Sequence, residues 1–185
     1  MTVLPFDELN KLEESIGIHF EDGKIRSKQD CEDIIDEMLD LFLLAYANGQ
    51  EQTNADLASN VTSDLDDVMD TIDKKIEGKT WRDRVWQHYE EGGTQADIVR
   101  IIETEAHRDS NEAAYKTATK AGAKTKTWHC MMLESSRDQH IFLDGVIAPI
   151  DGYFYTYTGA KAKFPGEFGE AENDCNCLCW VSYSR

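Results

Sequence analysis

The sequence predicts an α+β fold. An acidic helical arm occupies residues 1–93, and a long helix plus a small mixed domain of short antiparallel strands occupies residues 94–185. Three observations predict it. Apolar residues up to Ala118 recur at spacings of three and four, the period of a helix with one buried face. Beyond Gly122 the spacing shortens toward alternation, and turn pairs such as Asp151-Gly152 and Thr158-Gly159 interrupt it. Charge is divided the same way: residues 1–100 carry 24 acids against 10 bases, and residues 101–185 carry 12 against 9.

The first helix is expected over Pro5–Ile16, with Phe6, Leu9, Leu12 and Ile16 on one side and Gly17 and Gly23 as breakers. Ser27 with Asp30 has the spacing of a capping box, in which each side chain satisfies an orphan backbone N–H. The helix it opens carries Cys31, Ile34, Ile35, Met38, Leu41, Phe42 and Ala45, and Asn48-Gly49 reads as its stop. Residues 50–62 are polar and read as a connection. Ser63 is expected to start a helix bearing Leu65, Val68, Met69, Ile72 and Ile76, ended by Gly78. Thr80 with Asp83 caps the next, with Trp81, Val85, Trp86 and Tyr89 before Gly92-Gly93. Thr94 with Asp97 opens the longest helix, which runs to about Ala121 at Gly122.

Lys126–Leu133 is β-prone, and Ser135–Leu143 reads as one short helix capped by Ser135. Val146–Ile150 and Tyr153–Tyr157 read as a hairpin turned by Asp151-Gly152. Phe164-Pro165-Gly166 is a turn, and Leu178–Tyr183 a final strand.

A formal charge of -17 argues against naked nucleic acid as the primary ligand, because the arm would repel a phosphate backbone. It suits a basic protein surface, or it simply solvates exposed helix faces. No apolar run approaches the roughly 18 residues that span a bilayer, and no leader pattern opens the chain, so no membrane partner is expected. Five cysteines, three of them within residues 175–179, fit a reducing compartment better than a disulfide scaffold.

Two clusters carry chemistry. Cys177 and Cys179 share a face if the segment is extended, and with His140 or His129 they offer a tetrahedral zinc site. Cysteine is also a small hydrophobe, so buried free thiols account for the same residues. His140 and Asp144 are four apart, the spacing of an acid–base pair on one helix face or of a structural hydrogen bond. On the long helix Glu103, His107 and Asn111 form a polar row able to key it onto the C-terminal domain. Exposed i,i+4 pairs are the plainer account of that row.

The runs IIETEAHRDSNEAAYKTATKAGAKTKTWHCMM, RDQHIFLDG, PIDGYFYTY and FPGEFGEAENDCNCLCW, in this order, resemble the phage minor head proteins of the Mu F-like head morphogenesis family. The resemblance covers about residues 94–185. Glu103, His107, Arg108, Asn111, Arg137, His140, Asp144, Gly145, Pro165, Gly166, Glu172 and Asn176 sit where the family's motifs place them. The family's closing Asn-Cys-Arg-Cys is Asn176-Cys177-Leu178-Cys179 here, so any pairing of that Arg with Glu172 is lost, and Cys175 is an addition. The resemblance implies a non-enzymatic virion protein made in the host cytoplasm. Its partners would be the portal or major capsid protein, its place the head interior or portal vicinity, and its stage head assembly, DNA packaging or delivery. DNA would be touched only inside the assembled head. Members are often longer. No cofactor is implied, and the residues alone raise the structural zinc. The competing expectations are a zinc- or thiol-dependent enzyme and a phage module that binds a host protein.

Overall fold

The structure is a computed structural model that describes residues 6–185, the side chains of Phe6 and Asp7 excepted. The expected helix start at Pro5 and the placement of the Phe6 side chain lie outside the described residues.

Helix α1 spans Phe6–Gly17 and buries Leu9, Leu12 and Ile16. A two-residue hairpin follows, β1 (Phe20–Glu21) with β2 (Lys24–Ile25). Its turn is Asp22-Gly23, both at positive φ (49° and 77°), the backbone a type I′ turn requires. The expected break at Gly23 is thus the turn of a hairpin.

Helix α2 spans Lys28–Asp56 and passes straight through the expected stop at Asn48-Gly49. Gly49 serves packing instead. A Cβ built on it would sit 2.1 Å from the Ser110 carbonyl oxygen on α5, the helix Gln95–Lys120, so the missing side chain lets two backbones touch. Most of the expected 50–62 connection is therefore helix. Ser27 caps α2 by accepting from the Asp30 N–H, and the Asp30 carboxylate accepts from the Ser27 hydroxyl and Arg26 and meets His19.

Helix α3 is Leu65–Ile72, capped by Asp64 and not Ser63, and Leu65 is exposed. It stops short of Ile76, whose N–H and carbonyl pair with Lys79 across the turn at Gly78. Helix α4 (Trp81–Glu91) and α5 both open on complete capping boxes, Thr80/Asp83 and Thr94/Asp97. Ile34, Met38, Phe42, Ile72, Trp81, Val85, Ile98 and Ile102 close one core between these helices. Phe42 meets Trp81 edge-on at 5.0 Å.

After Gly122 (φ 79°) the chain enters a three-stranded antiparallel sheet of order β4-β3-β7: Ile147–Pro149, Thr125–His129 and Trp180–Ser184. Its inner face joins Trp128, Ala148 and Val181 to Leu143, Phe154, Cys177 and Cys179 in a second core. The expected hairpin across Asp151-Gly152 does not form. β4 pairs with β3, while β5 (Phe154–Tyr155) pairs with β6 (Lys161–Ala162) through the Thr158-Gly159 turn. The backbone at 150–152 is engaged elsewhere. Ile150 N–H donates to Lys124, and the buried Lys126 ammonium donates to the carbonyls of Ile150 (2.9 Å) and Gly152 (2.7 Å).

The expected Ser135–Leu143 helix shrinks to α6, Asp138–Ile141. Its N-cap is Arg137 with no side-chain bond, and Ser136 Oγ instead accepts from Leu133 N–H. A further short helix, α7 (Ala171–Asp174), was not expected. The final strand begins at Trp180, so Leu178 and Cys179 precede it.

Candidate functional site

The middle of α5 carries Glu105, Arg108, Asp109 and Glu112 along one face, yet is buried throughout, from Glu105 to Ala114. Arg108 is 2% exposed and pairs with both Glu105 and Asp109. Its guanidinium also donates to the carbonyls of Thr71 and Ile72, the open C-terminal end of α3. Arg84 from α4 reaches Glu105, and Lys74 reaches Glu112 at 3.0 Å. Burial drives the Asp109 carboxyl well above the usual carboxylate range, against the pull of Arg108. Gly166 (φ 90°) lies on the Arg108 stem, where a Cβ would come within 2.9 Å of the Arg108 Cβ. Pro165-Gly166 thus presses the C-terminal region onto α5.

Beside Arg108 on α5, His107 and Asn111 grip a single atom. The Cys179 carbonyl accepts from His107 Nε2 at 2.6 Å and from the Asn111 amide at 3.4 Å. Glu103 does not join them; it is half-buried, and burial and then the nearby charge of Glu13 push its carboxyl up. The buried acids on α5 are Glu105, Asp109 and Glu112.

Beyond that clamp lies the His–Cys cluster. His140, Cys177 and Cys179 are all buried, with donor atoms within 4.8 Å of one another. His140 Nδ1 is 3.5 Å from Cys177 Sγ and 3.6 Å from Cys179 Sγ. The ring is wedged by Phe168, stacked at 5.5 Å, and by Trp128, edge-on at 5.9 Å. Arg137 ties α6 to the cysteine loop by donating to the Cys175 carbonyl (2.5 Å), and Gln139 bonds Asn173 on α7. Asn176 turns this loop at φ 53°. The thiols titrate as a pair. The Cys179 thiol, and His140 after it, hold the Cys177 thiol well below the usual thiol range against burial. The hydrogen bond to Cys177 and burial push Cys179 up.

The other expected partners are placed apart from this cluster. Asp144 is exposed and accepts from Cys130 N–H at 2.8 Å, so it does not share a helix face with His140. Helix α6 has already ended, and Gly145 (φ 74°) donates to the Trp128 carbonyl. His129 stacks on Trp180 at 4.0 Å and meets Ser182, and burial lowers its pKa. Glu172 is exposed. Asp174, not singled out from sequence, accepts three backbone N–H bonds from residues 168–170; burial still pushes its carboxyl up to about 6. A second group, His19 with Asp30 and Asp33, also comes within 4.8 Å, but His19 is engaged by Asp30 and Glu37 at the start of α2.

The arrangement is a helix-keyed α+β module in which motif polar groups such as Arg108, His107, Asn111, Arg137 and Asp144 bond the protein's own backbone or buried ions. The chain belongs to the family of phage Mu protein F like proteins, whose model matches residues 52–182. It is 34% identical over 83 residues to the minor head protein GP7 of Bacillus phage SPP1, covering 43% of this chain and 27% of that protein. It is 32% identical over 129 residues to the NAD(+)–arginine ADP-ribosyltransferase EFV of Enterococcus faecalis strain V583, covering 67% of this chain and 25% of the enzyme. The chain spans about a quarter of the length of these curated relatives. No solved structure matches it.

Proposed function

We propose that this protein is a structural component of a phage head that takes part in head morphogenesis at the portal or capsid shell. The family membership, with a minor head protein among the relatives, carries this reading. The structure supports it because the family motifs act as internal fasteners. Arg108 holds α3, His107 and Asn111 hold the Cys179 carbonyl, and Arg137 holds the cysteine loop. Groups so engaged are poorly placed to turn over a substrate, so the role is assembly and not catalysis.

The docking surface in this reading is the acidic outer side of α2, with Asp36, Asp40 and Glu51 exposed on it. A protein bearing such a surface associates fastest with a basic partner, and salt slows that association. The partner is the portal or major capsid protein of the same phage, inside the virion. No described helix is long and apolar enough to cross a membrane.

The test is association of the full chain with the purified portal and capsid proteins, with D36K/D40K/E51K beside it. The expected result is binding to one of them, with slower association for the triple variant. Particles assembled in infected cells should contain the wild-type chain. Purified heads that lack it would remove the structural reading; unchanged association of the triple variant would move the docking face elsewhere.

A further inference from the structure

The His140 cluster turns two thiols toward one imidazole nitrogen. The imidazole Nδ1 offers one lone pair, yet two thiols face it, at 3.5 and 3.6 Å. The other ring nitrogen, Nε2, is buried with no hydrogen-bond partner, so Nδ1 is the nitrogen through which this side chain acts. The three side chains are 2%, 4% and 3% exposed. A soft dication that displaces the thiol protons would engage all three buried donors at once.

The distances match that occupant. Zinc binds sulfur at about 2.3 Å and nitrogen at about 2.0–2.1 Å, and tetrahedral angles then set the two ligand atoms about 3.6 Å apart. The ring is already fixed by Phe168 and Trp128, and the cysteine loop is fixed by the bonds to the Cys175 and Cys179 carbonyls. Three buried protein donors leave one tetrahedral position. Beside them is a cavity of about 30 Å³, lined by His140, Cys177, Cys179, Arg137 and Cys130. Cys130 lies at the end of β3, its N–H held by Asp144. Cys130 is outside the tight triad but lines that cavity. Arg137 on the same wall offsets the net negative charge of three thiolates around one zinc ion.

We propose that His140, Cys177 and Cys179 bind a structural zinc ion, with Cys130 closing the tetrahedron from the cavity wall. The site then staples α6 and the end of β3 to the segment that leads into β7. Two thiolates two residues apart do this from an extended chain whose middle residue, Leu178, points outward and is 41% exposed.

The experiment uses the full chain purified without chelator, with metal content measured by mass spectrometry. The expected result is stoichiometric zinc. Cobalt(II) added to the metal-free protein should give the visible bands of a tetrahedral site and thiolate charge-transfer bands, and zinc should erase both. C177S should lose the metal, and C175S, altered at a neighbouring thiol outside the cluster, should keep it. C130S should bind at least roughly tenfold more weakly, as loss of one ligand implies. Wild-type protein that carries no zinc and gives no tetrahedral cobalt spectrum overturns the proposal, whether or not C177S folds. Equal zinc affinity in C130S overturns the assignment of the fourth ligand.

Discussion

Arg108 shows how a charged residue becomes part of a core. Two carboxylates and two helix-end carbonyls surround it, and all of them lose water together. Such a network contributes little net stability against an apolar substitute, but removal of one member strands the rest. Arg108→Ala leaves Glu105 and Asp109 buried without their common partner. It should cost about 3–5 kcal/mol in urea unfolding. Asp109→Asn, which keeps the shape and removes one buried charge, should cost distinctly less. Equal costs would show that the guanidinium acts through its packing and not its charge.

His19 and Asp30 are the residue pair with a pH signature. Burial opposes charge on His19, but the bonds and charges of Asp30 and Glu37 outweigh it and raise its pKa. The hydroxyl of Ser27, then His19 and Arg26, lower the Asp30 carboxyl. A raised histidine contributes fully below its unfolded pKa, about 6.5, and loses that contribution as pH climbs through the folded value. A lowered carboxylate contributes fully above its unfolded pKa, about 3.9, and loses it as pH falls toward the folded value. The pair is therefore worth most between about pH 4 and 6.5. Thermal melts of wild type and His19→Asn should differ most in that window and converge toward pH 9. A constant difference across pH would assign His19 a packing role alone.

At the scale of elements, the sequence marked helix starts better than helix ends. Thr80/Asp83 and Thr94/Asp97 are local devices, complete within four residues, and both formed as read. Asn48-Gly49 misled because glycine has two uses, a backbone turn and a close approach, and only the neighbour at Ser110 tells them apart. Gly49→Ala distinguishes them experimentally. In an exposed helix the change would stabilise by about 1 kcal/mol. Here a methyl against the Ser110 carbonyl should instead destabilise by about 1–3 kcal/mol, measured as a drop in urea midpoint with unchanged slope. The β4–β5 hairpin failed for a similar reason. Asp151-Gly152 is a sound turn signal, but Lys126, a residue 25 positions earlier, claims the carbonyls around it.

At the scale of the molecule, α5 links the helical core to the strand region. Ile98, Ile101, Ile102 and Ala106 belong to the helical core, while His107 and Asn111 clamp the strand region through Cys179. A helix built into one core and bonded to the other should make them melt together. Calorimetry of the full chain should show one transition whose calorimetric and van't Hoff enthalpies agree. Two resolved transitions would mean that the clamp couples the halves only weakly.

The sequence by itself determined the α+β class, the capped starts of α2, α4 and α5, the acidic arm and the motif order that marks the family, because each is written in neighbours or in composition. It also named His140, Cys177 and Cys179 as chemically related, on residue type alone. Tertiary structure decided which groups meet. It put Glu105 rather than Glu103 in the buried network, sent Asp144 to the Cys130 backbone, and turned Gly49 from a stop into a contact. The physical reason is common to all three. A buried polar group or a close backbone approach takes its energy from partners far away in the chain, and residue spacing carries no record of them.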